Sequence, residues 1–298
     1  MRDRLGVRLL SPAAQSPDEE SFGLDELQRY QLVEELLYPL DAPPEATLLS
    51  LRGELPLGAA GQLAREELRR LREVLHTHLA QLPLPPNPRL DRRSAQWRWG
   101  DLQLDGEWPL DARTRWWRDD GGHHWQTLLR PGRVWFDFKN KSYPRLDALA
   151  ALWVGHLMAN AAGEPTHSSL IGLDDVITLR PLEAAQAQGH LESLVQAYAR
   201  AWASPMFMAP RSAALYGLGM LADPSQEPQA WAQARSYFDD PRGGEAARQP
   251  YLQRVLAQTQ DMRGVLQHEW AGVYGGLLRA LPTPSDASDS EADEESAA

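Results

Sequence analysis

The stretch VWFDFKNK, residues 134–141, decides how the rest of the chain is read. From Phe136 onward apolar and polar residues alternate, and Asp137 and Lys139 stand two apart. On a β-strand, residues i and i+2 share a face, so this spacing puts a carboxylate and an ammonium on one side. Many Mg2+-dependent nucleases present a metal ligand and a catalytic base in this way. Such chemistry also needs a further acid, because Mg2+ takes carboxylates and several waters. Upstream, Asp105 lies in LDGE and Asp119-Asp120 in DDGGH, where Asp serves turn geometry. Asp111 follows Pro109 and is placed to face a sheet. A nuclease reading therefore rests on Asp111, Asp137 and Lys139, with Mg2+ as cofactor. The competing reading has no catalytic residue, no metal and no cofactor: an exposed ion pair contributes only about 0–1 kcal/mol.

The flanking sequence has the same strand-like character. Short β runs are expected at Arg92–Trp99, Leu102–Trp108, Arg113–Arg118, Trp125–Leu129 and Arg133–Lys139, with DDGGH as a hairpin turn. Together they predict an antiparallel meander. Helices bracket it. FGLDELQRYQLVEELLYPL offers Asp25 as a cap and a helical apolar face, ended by Pro39. A second helix is predicted from Ala60 to Leu82 and is closed by LPLPPNP. After Tyr143 the pattern is helical again, with RLDALAALWVGHLMANAAG stopping at Gly163 and LEAAQAQGHLESLVQAYARAWA stopping at Pro205. Shorter helices are expected at Ser212–Leu221, Glu227–Phe238, Gln249–Gln258 and Val265–Leu281, and DVITLR at 175–180 adds one strand. Helices, strands, helices in that order make an α+β protein. Three segments follow: a helical part over 1–88, strands and helices over 89–281, and an acidic tail over 282–298.

Composition limits the functions on offer. The 298 residues carry a net charge of −11, and the segment from Thr283 contributes six carboxylates and no base. Without them the body stands at −5, only mildly acidic, so the tail reads as disordered and the body as a poor autonomous DNA binder. There are no cysteines, which excludes disulfides and thiolate metal sites and fits a reducing cytoplasm. MRDRLGVRLL lacks a signal-peptide core, and no run of about 18 apolar residues exists, so no membrane segment is expected. No HExxH, P-loop or dinucleotide fingerprint occurs. His123-His124 diverge on a strand, and His76 and His78 diverge on a helix. His156 reads as a core or capping histidine. Ser168-Ser169 reads as part of a polar loop.

Seven of the eleven tryptophans lie between residues 97 and 135. Such clusters fill sheet cores and interfaces, and they also stack bases. Arg113, Arg115 and Trp116 are the nucleic-acid candidates, since arginine beside tryptophan suits both nucleic acid and protein partners. The arginines at 65, 69, 70 and 72 alternate with glutamates and read as a solvated helix face.

Five blocks, in order, resemble one family: FGLDELQRYQL (22–32), GELPLGAAG (53–61), LAALWVGHLMANAAG (149–163), AYARAWASPMFMAPRSAALYG (197–217) and GGEAARQPYLQRVL (243–256). They resemble the C-terminal region of RecC, the gamma subunit of exodeoxyribonuclease V, the RecBCD helicase–nuclease. The resemblance implies a degenerate PD-(D/E)xK nuclease-like sheet that has lost its active site, in a non-catalytic scaffold for DNA repair and recombination. It implies RecB-like and RecD-like subunits and the remainder of a RecC-like protein as partners, DNA within the complex, no membrane, and a cytoplasmic location. The strand of Asp137 and Lys139 then has nuclease ancestry without nuclease chemistry. RDRLGVRLL resembles a segment interior to the full-length family, so a divided or truncated subunit, or a cut-out domain, is expected. A residual Mg2+ nuclease and a standalone DNA-binding module are the alternatives.

Overall fold

The computed structural model describes residues 23–37, 49–50, 52–84, 89–91, 93–99, 102–108, 114–118, 124–204, 206–259 and 261–282. The protein is α+β, with a small, mostly antiparallel sheet between helices. Helix α1 (Glu26–Leu36) starts where its sequence says it should. Asp25 Oδ1 accepts from the Gln28 N–H at 2.7 Å, and the Gln28 side chain accepts from the Asp25 N–H at 3.1 Å. This reciprocal box satisfies two amide groups that a helix start otherwise orphans. Helix α2 (Gly58–Ala80) buries Leu68, Leu75 and Leu79 along one face.

Nine strands follow among the described residues: β1 (Arg89–Asp91), β2 (Arg93–Trp99), β3 (Leu102–Trp108), β4 (Thr114–Arg118), β5 (His124–Leu129), β6 (Trp135–Phe138), β7 (Lys141–Pro144), β8 (Thr166–Ile171) and β9 (Val176–Leu179). The main sheet runs β1-β4-β5-β8-β9, while β2–β3 and β6–β7 form separate hairpins. All pairs in the main sheet are antiparallel except β5–β8, which are parallel with Gln126 opposite Ser168. Helix α3 (Leu146–Ala161) makes the crossover that a parallel pair requires. It is buried nearly all round, as a helix with no polar face must be.

The expected five-strand meander is therefore corrected: β2–β3 stands apart and β4 pairs with β1 in place of β3, and two further points differ. First, β6 pairs with β7 and not with β5. Its strand ends at Phe138, because Lys139 (φ 47°) and Asn140 (φ 62°) form a two-residue turn in the left-handed region. That geometry suits the right-handed twist of a hairpin. Second, the Ser168-Ser169 segment is not a loop: it is the middle of β8, and both serines are buried. DVITLR does form a strand, β9.

Both faces of the sheet are covered. Leu170, Ile177 and Leu179 join α3 and the C-terminal helices in one core, whereas Leu129 and Ile171 join α1 and α2 in the other. Adjacent residues Leu170 and Ile171 point to opposite layers, as the pleat requires. On the α3 side the sheet carries a buried polar row. Ser168 Oγ donates to Gln126 Oε1 at 3.2 Å and lies 2.9 Å from His156 Nδ1. Asn160 Oδ1 accepts from the backbone N–H groups of Thr166 and Leu182, both at 3.1 Å. A Cβ on Gly155 would come within 2.5 Å of the Gln126 amide, so glycine there lets α3 lie on the sheet.

The remaining helices are α4 (Ala184–Ala203), α5 (Pro210–Ala222), α6 (Glu227–Phe238), α7 (Glu245–Arg248), α8 (Pro250–Thr259), α9 (Met262–Glu269) and α10 (Gly275–Ala280). The single helix expected at Val265–Leu281 is instead α9, a π-helical turn over Trp270–Tyr274, and α10. The tail from residue 283 lies outside the described residues. No described helix is long and apolar enough to cross a membrane.

Candidate functional site

Asp137 and Lys139 do not share a strand face, because β6 ends at Phe138 and Lys139 lies in the turn. Asp137 is the exposed residue of β6, and both its oxygens are engaged: Oδ1 accepts from Ser142 Oγ at 2.7 Å, Oδ2 from Arg133 at 2.9 Å. The Ser142 hydrogen bond first, then Arg133, hold its carboxyl below the usual carboxylate range. Lys139 is in the turn, with Nζ 5.1 Å from the centre of the Phe138 ring. The i, i+2 relation on one strand face, which motivated the nuclease reading, is absent because the strand stops one residue early. Asp111 lies outside the described residues. Among the described residues no group of three or more His, Asp or Glu side chains is placed to hold a metal ion.

Of the nucleic-acid candidates, Trp116 is 1% exposed, on the α3 side of the sheet with Gln126 opposite. Its ring is enclosed in that layer of the sheet. Trp117 lies on the other face and donates from Nε1 to Thr127 Oγ1 at 3.1 Å. Arg113 and the Arg115 side chain lie outside the described residues. His156 is the core histidine expected: it is 0% exposed, and burial first, then the charge of His167, lower its pKa to about 4.

A cleft of about 680 Å3 lies elsewhere, where α1, residues 131–133, the β6–β7 hairpin and the N-termini of α3 and α5 meet. Its walls combine arginines with aromatic rings. Arg133 bonds Asp137 and also Asp174, at 3.2 Å. Asp174 in turn accepts from the Val134 and Trp135 N–H groups, which ties the hairpin to the β8–β9 turn. Arg145, just before α3, pairs with Asp147 at 2.9 Å, and Arg130 approaches the same carboxylate at 3.9 Å. Burial alone would raise the Asp147 carboxyl; Arg145, with Arg130 and Arg211 beyond it, outweighs this and holds it down. Arg211 donates to the Tyr237 hydroxyl at 3.1 Å and lies 5.5 Å from the centre of the Phe136 ring.

Glu245 organises this end of the cleft. Its carboxylate accepts from the backbone N–H groups of Arg211 and Ser212, both at 2.8 Å, and from Ser212 Oγ at 2.6 Å. It thereby serves as the cap that α5 lacks in its own sequence. Sequence reading passed over these arginines, because they are scattered singly from Arg130 to Arg248 with no local pattern. Arg211 and Arg248 fall within blocks that carry the family resemblance.

A family model described as RecC C-terminal domain matches residues 1–218. The chain belongs to this family. The match runs from the N-terminus through the sheet into α5, so the RecC-type segment includes α1, α2, the whole main sheet, α3 and α4. Four of the five quoted blocks fall inside it, and GGEAARQPYLQRVL falls beyond it. RecC is a subunit of the RecBCD complex, which has exonuclease and helicase activity. No curated protein matches the chain.

Proposed function

We propose that the chain is a non-catalytic scaffold part of a RecC-like subunit, acting with RecB-like and RecD-like partners in RecBCD-type repair of DNA double-strand breaks. The observation that carries this is the acid content of the sheet. Strands β4 (TRWWR), β5 (HWQTLL), β8 (THSSLI) and β9 (VITL) contain no carboxylate, and the edge strand β1 (RLD) adds Asp91 alone. A hydrolytic Mg2+ site needs several carboxylates converging on a rigid element, and one acid on an edge strand does not supply them. The connectivity supports a nuclease-like ancestry: α2, then the antiparallel run β1-β4-β5, then α3 crossing over to the parallel strand β8. On this reading β5, and not the Asp137 hairpin, stands where an acid and a lysine would be needed, and it has neither.

The test is assembly. Mixed with the RecB-like subunit and the remainder of the RecC-like protein, the chain is expected to co-elute with them in size-exclusion chromatography. Failure to associate with either retires the scaffold role. Linear DNA incubated with the purified chain in Mg2+ is expected to stay intact. Cleavage that disappears in Asp137→Ala and in Lys139→Ala would reinstate the nuclease.

A further inference from the structure

A smaller cavity, of about 210 Å3, lies where α4 meets the C-terminal end of the fold, lined by His190 and Ser193 of α4, Trp153 of α3, Gly272 of the π-helical turn, and Gly276 and Arg279 of α10. Glycine lets these helices approach, since a Cβ on Gly276 would come within 2.6 Å of His190 Nδ1. Arg279 is exposed, with its guanidinium carbon 5.8 Å from the centre of the Trp270 ring. Arg200, exposed in the last turn of α4, lies against the same rim, its Nη2 3.5 Å from where a Cβ of Gly272 would stand. Neither arginine forms an ion pair with a described residue, and no carboxylate lines the cavity. Glu192, the acid of α4, is not among its walls, and the Glu269 side chain lies outside the described residues. Burial first, then the Arg279 charge, lower the His190 pKa, and the second cause is the mark of a positive field with no anion beside it.

We propose that this basic rim is the docking site of the chain's own acidic segment, residues 283–298, whose carboxylates pair with Arg200 and Arg279. The described chain runs through α10 to Pro282, three residues past Arg279. The segment after it carries Asp286, Asp289, Glu291, Asp293, Glu294 and Glu295 and no base. Each residue adds at most about 3.5 Å of reach, which keeps Asp286 within roughly 14 Å of Pro282 and Asp289 within roughly 25 Å. A tether this short holds the carboxylates at an effective concentration of about millimolar, whereas a free acidic peptide or phosphate has to be supplied at that level. Guanidinium–carboxylate pairs are charge-assisted, and two forks suit a run in which acids recur every one to three residues. Once docked, the segment offsets the positive rim of the α4–α10 face and screens it from other polyanions. The inference is independent of the scaffold role, since it gives a partner to a face and a segment that the role does not use.

The experiment compares arginine modification by phenylglyoxal in the full chain and in the full-length variant D286N/D289N/E291Q/D293N/E294Q/E295Q, with rates resolved for each arginine by peptide mass spectrometry. A guanidinium paired with a carboxylate reacts more slowly than a free one. Arg200 and Arg279 are therefore both expected to react about two- to fivefold faster in the variant, the range that an exposed ion pair allows. High salt is expected to raise the wild-type rates to those of the variant. Arg70, exposed on α2, is expected to react alike in the two proteins. Equal rates in the two proteins at Arg200 or at Arg279 overturn the proposal; a rise at Arg279 alone reflects only its closeness to the segment in sequence. Protection that falls on Arg242 and Arg248 in their place puts the segment in the larger cleft, and protection that grows with protein concentration puts it on a second copy. Either result also overturns the proposal.

Discussion

Single residues here show how burial redirects chemistry. His156 is fully enclosed between α3 and the sheet, which favours the neutral ring. The unfolded chain takes up its proton as pH falls through 6.5, whereas the folded chain resists until about 4. Stability is therefore complete above pH 6.5 and declines between there and about 4, by about 3 kcal/mol for this one group. His190, whose pKa burial also lowers, acts in the same direction. Urea unfolding at pH 7 and pH 4.5 measures the decline. His156→Gln should flatten it, and a wild-type profile already flat over that range would contradict the account. Lys139 makes a different point. An acid–x–lysine spacing is legible at a glance, but its chemistry depended on a strand continuing through Lys139, and the backbone turns there instead.

At the scale of elements, two short devices hold the cleft wall. The β6–β7 hairpin uses Lys139 and Asn140 at positive φ, where glycine is favoured. Asn140→Gly should hold or raise stability, by up to about 1 kcal/mol, since the turn type is built for glycine at that position. A fall in Tm would mean that the Asn140 side chain contributes something beyond its backbone. The α5 N-terminus depends on Glu245, a residue 33 positions away from Ser212. Glu245→Ala strips the partners from two amide N–H groups and a hydroxyl, which predicts a loss of about 2–4 kcal/mol in chemical denaturation. Glu245→Gln should fall between it and wild type, because one acceptor oxygen remains. Asp25 could be read as a cap from its neighbours, four residues of sequence being enough. Glu245 could not, because its helix start lies in another part of the chain.

Across the whole molecule, the sheet is the plate that joins two cores. Leu129 and Ile171 carry α1 and α2 on one face, and Leu170 carries α3 on the other. Ile171→Ala is expected to cost about 2–5 kcal/mol. The loss should appear first as faster hydrogen exchange in α1 and α2, with α3 protected longer. Equal loss of protection in all three would show one cooperative core in place of two layers. The same arrangement explains why β8 was overlooked. With both faces covered, its THSSLI sequence shows no inside–outside alternation, and its buried serines resemble a loop.

The longer helices up to Phe238, the Asp25 cap, the lack of cysteines, the acidic tail and the RecC resemblance were legible in the sequence alone. Each depends on composition or on residues within a turn or two of one another. The tertiary structure alone decided which strand Gln126 meets, which way Trp116 faces and which arginines share a cleft. Gln126 pairs with a strand 42 residues later, and Arg145 and Arg211 reach one cleft through the packing of separate helices on the sheet. Contacts of that range are selected by the burial of whole faces, and no local pattern of side chains encodes them.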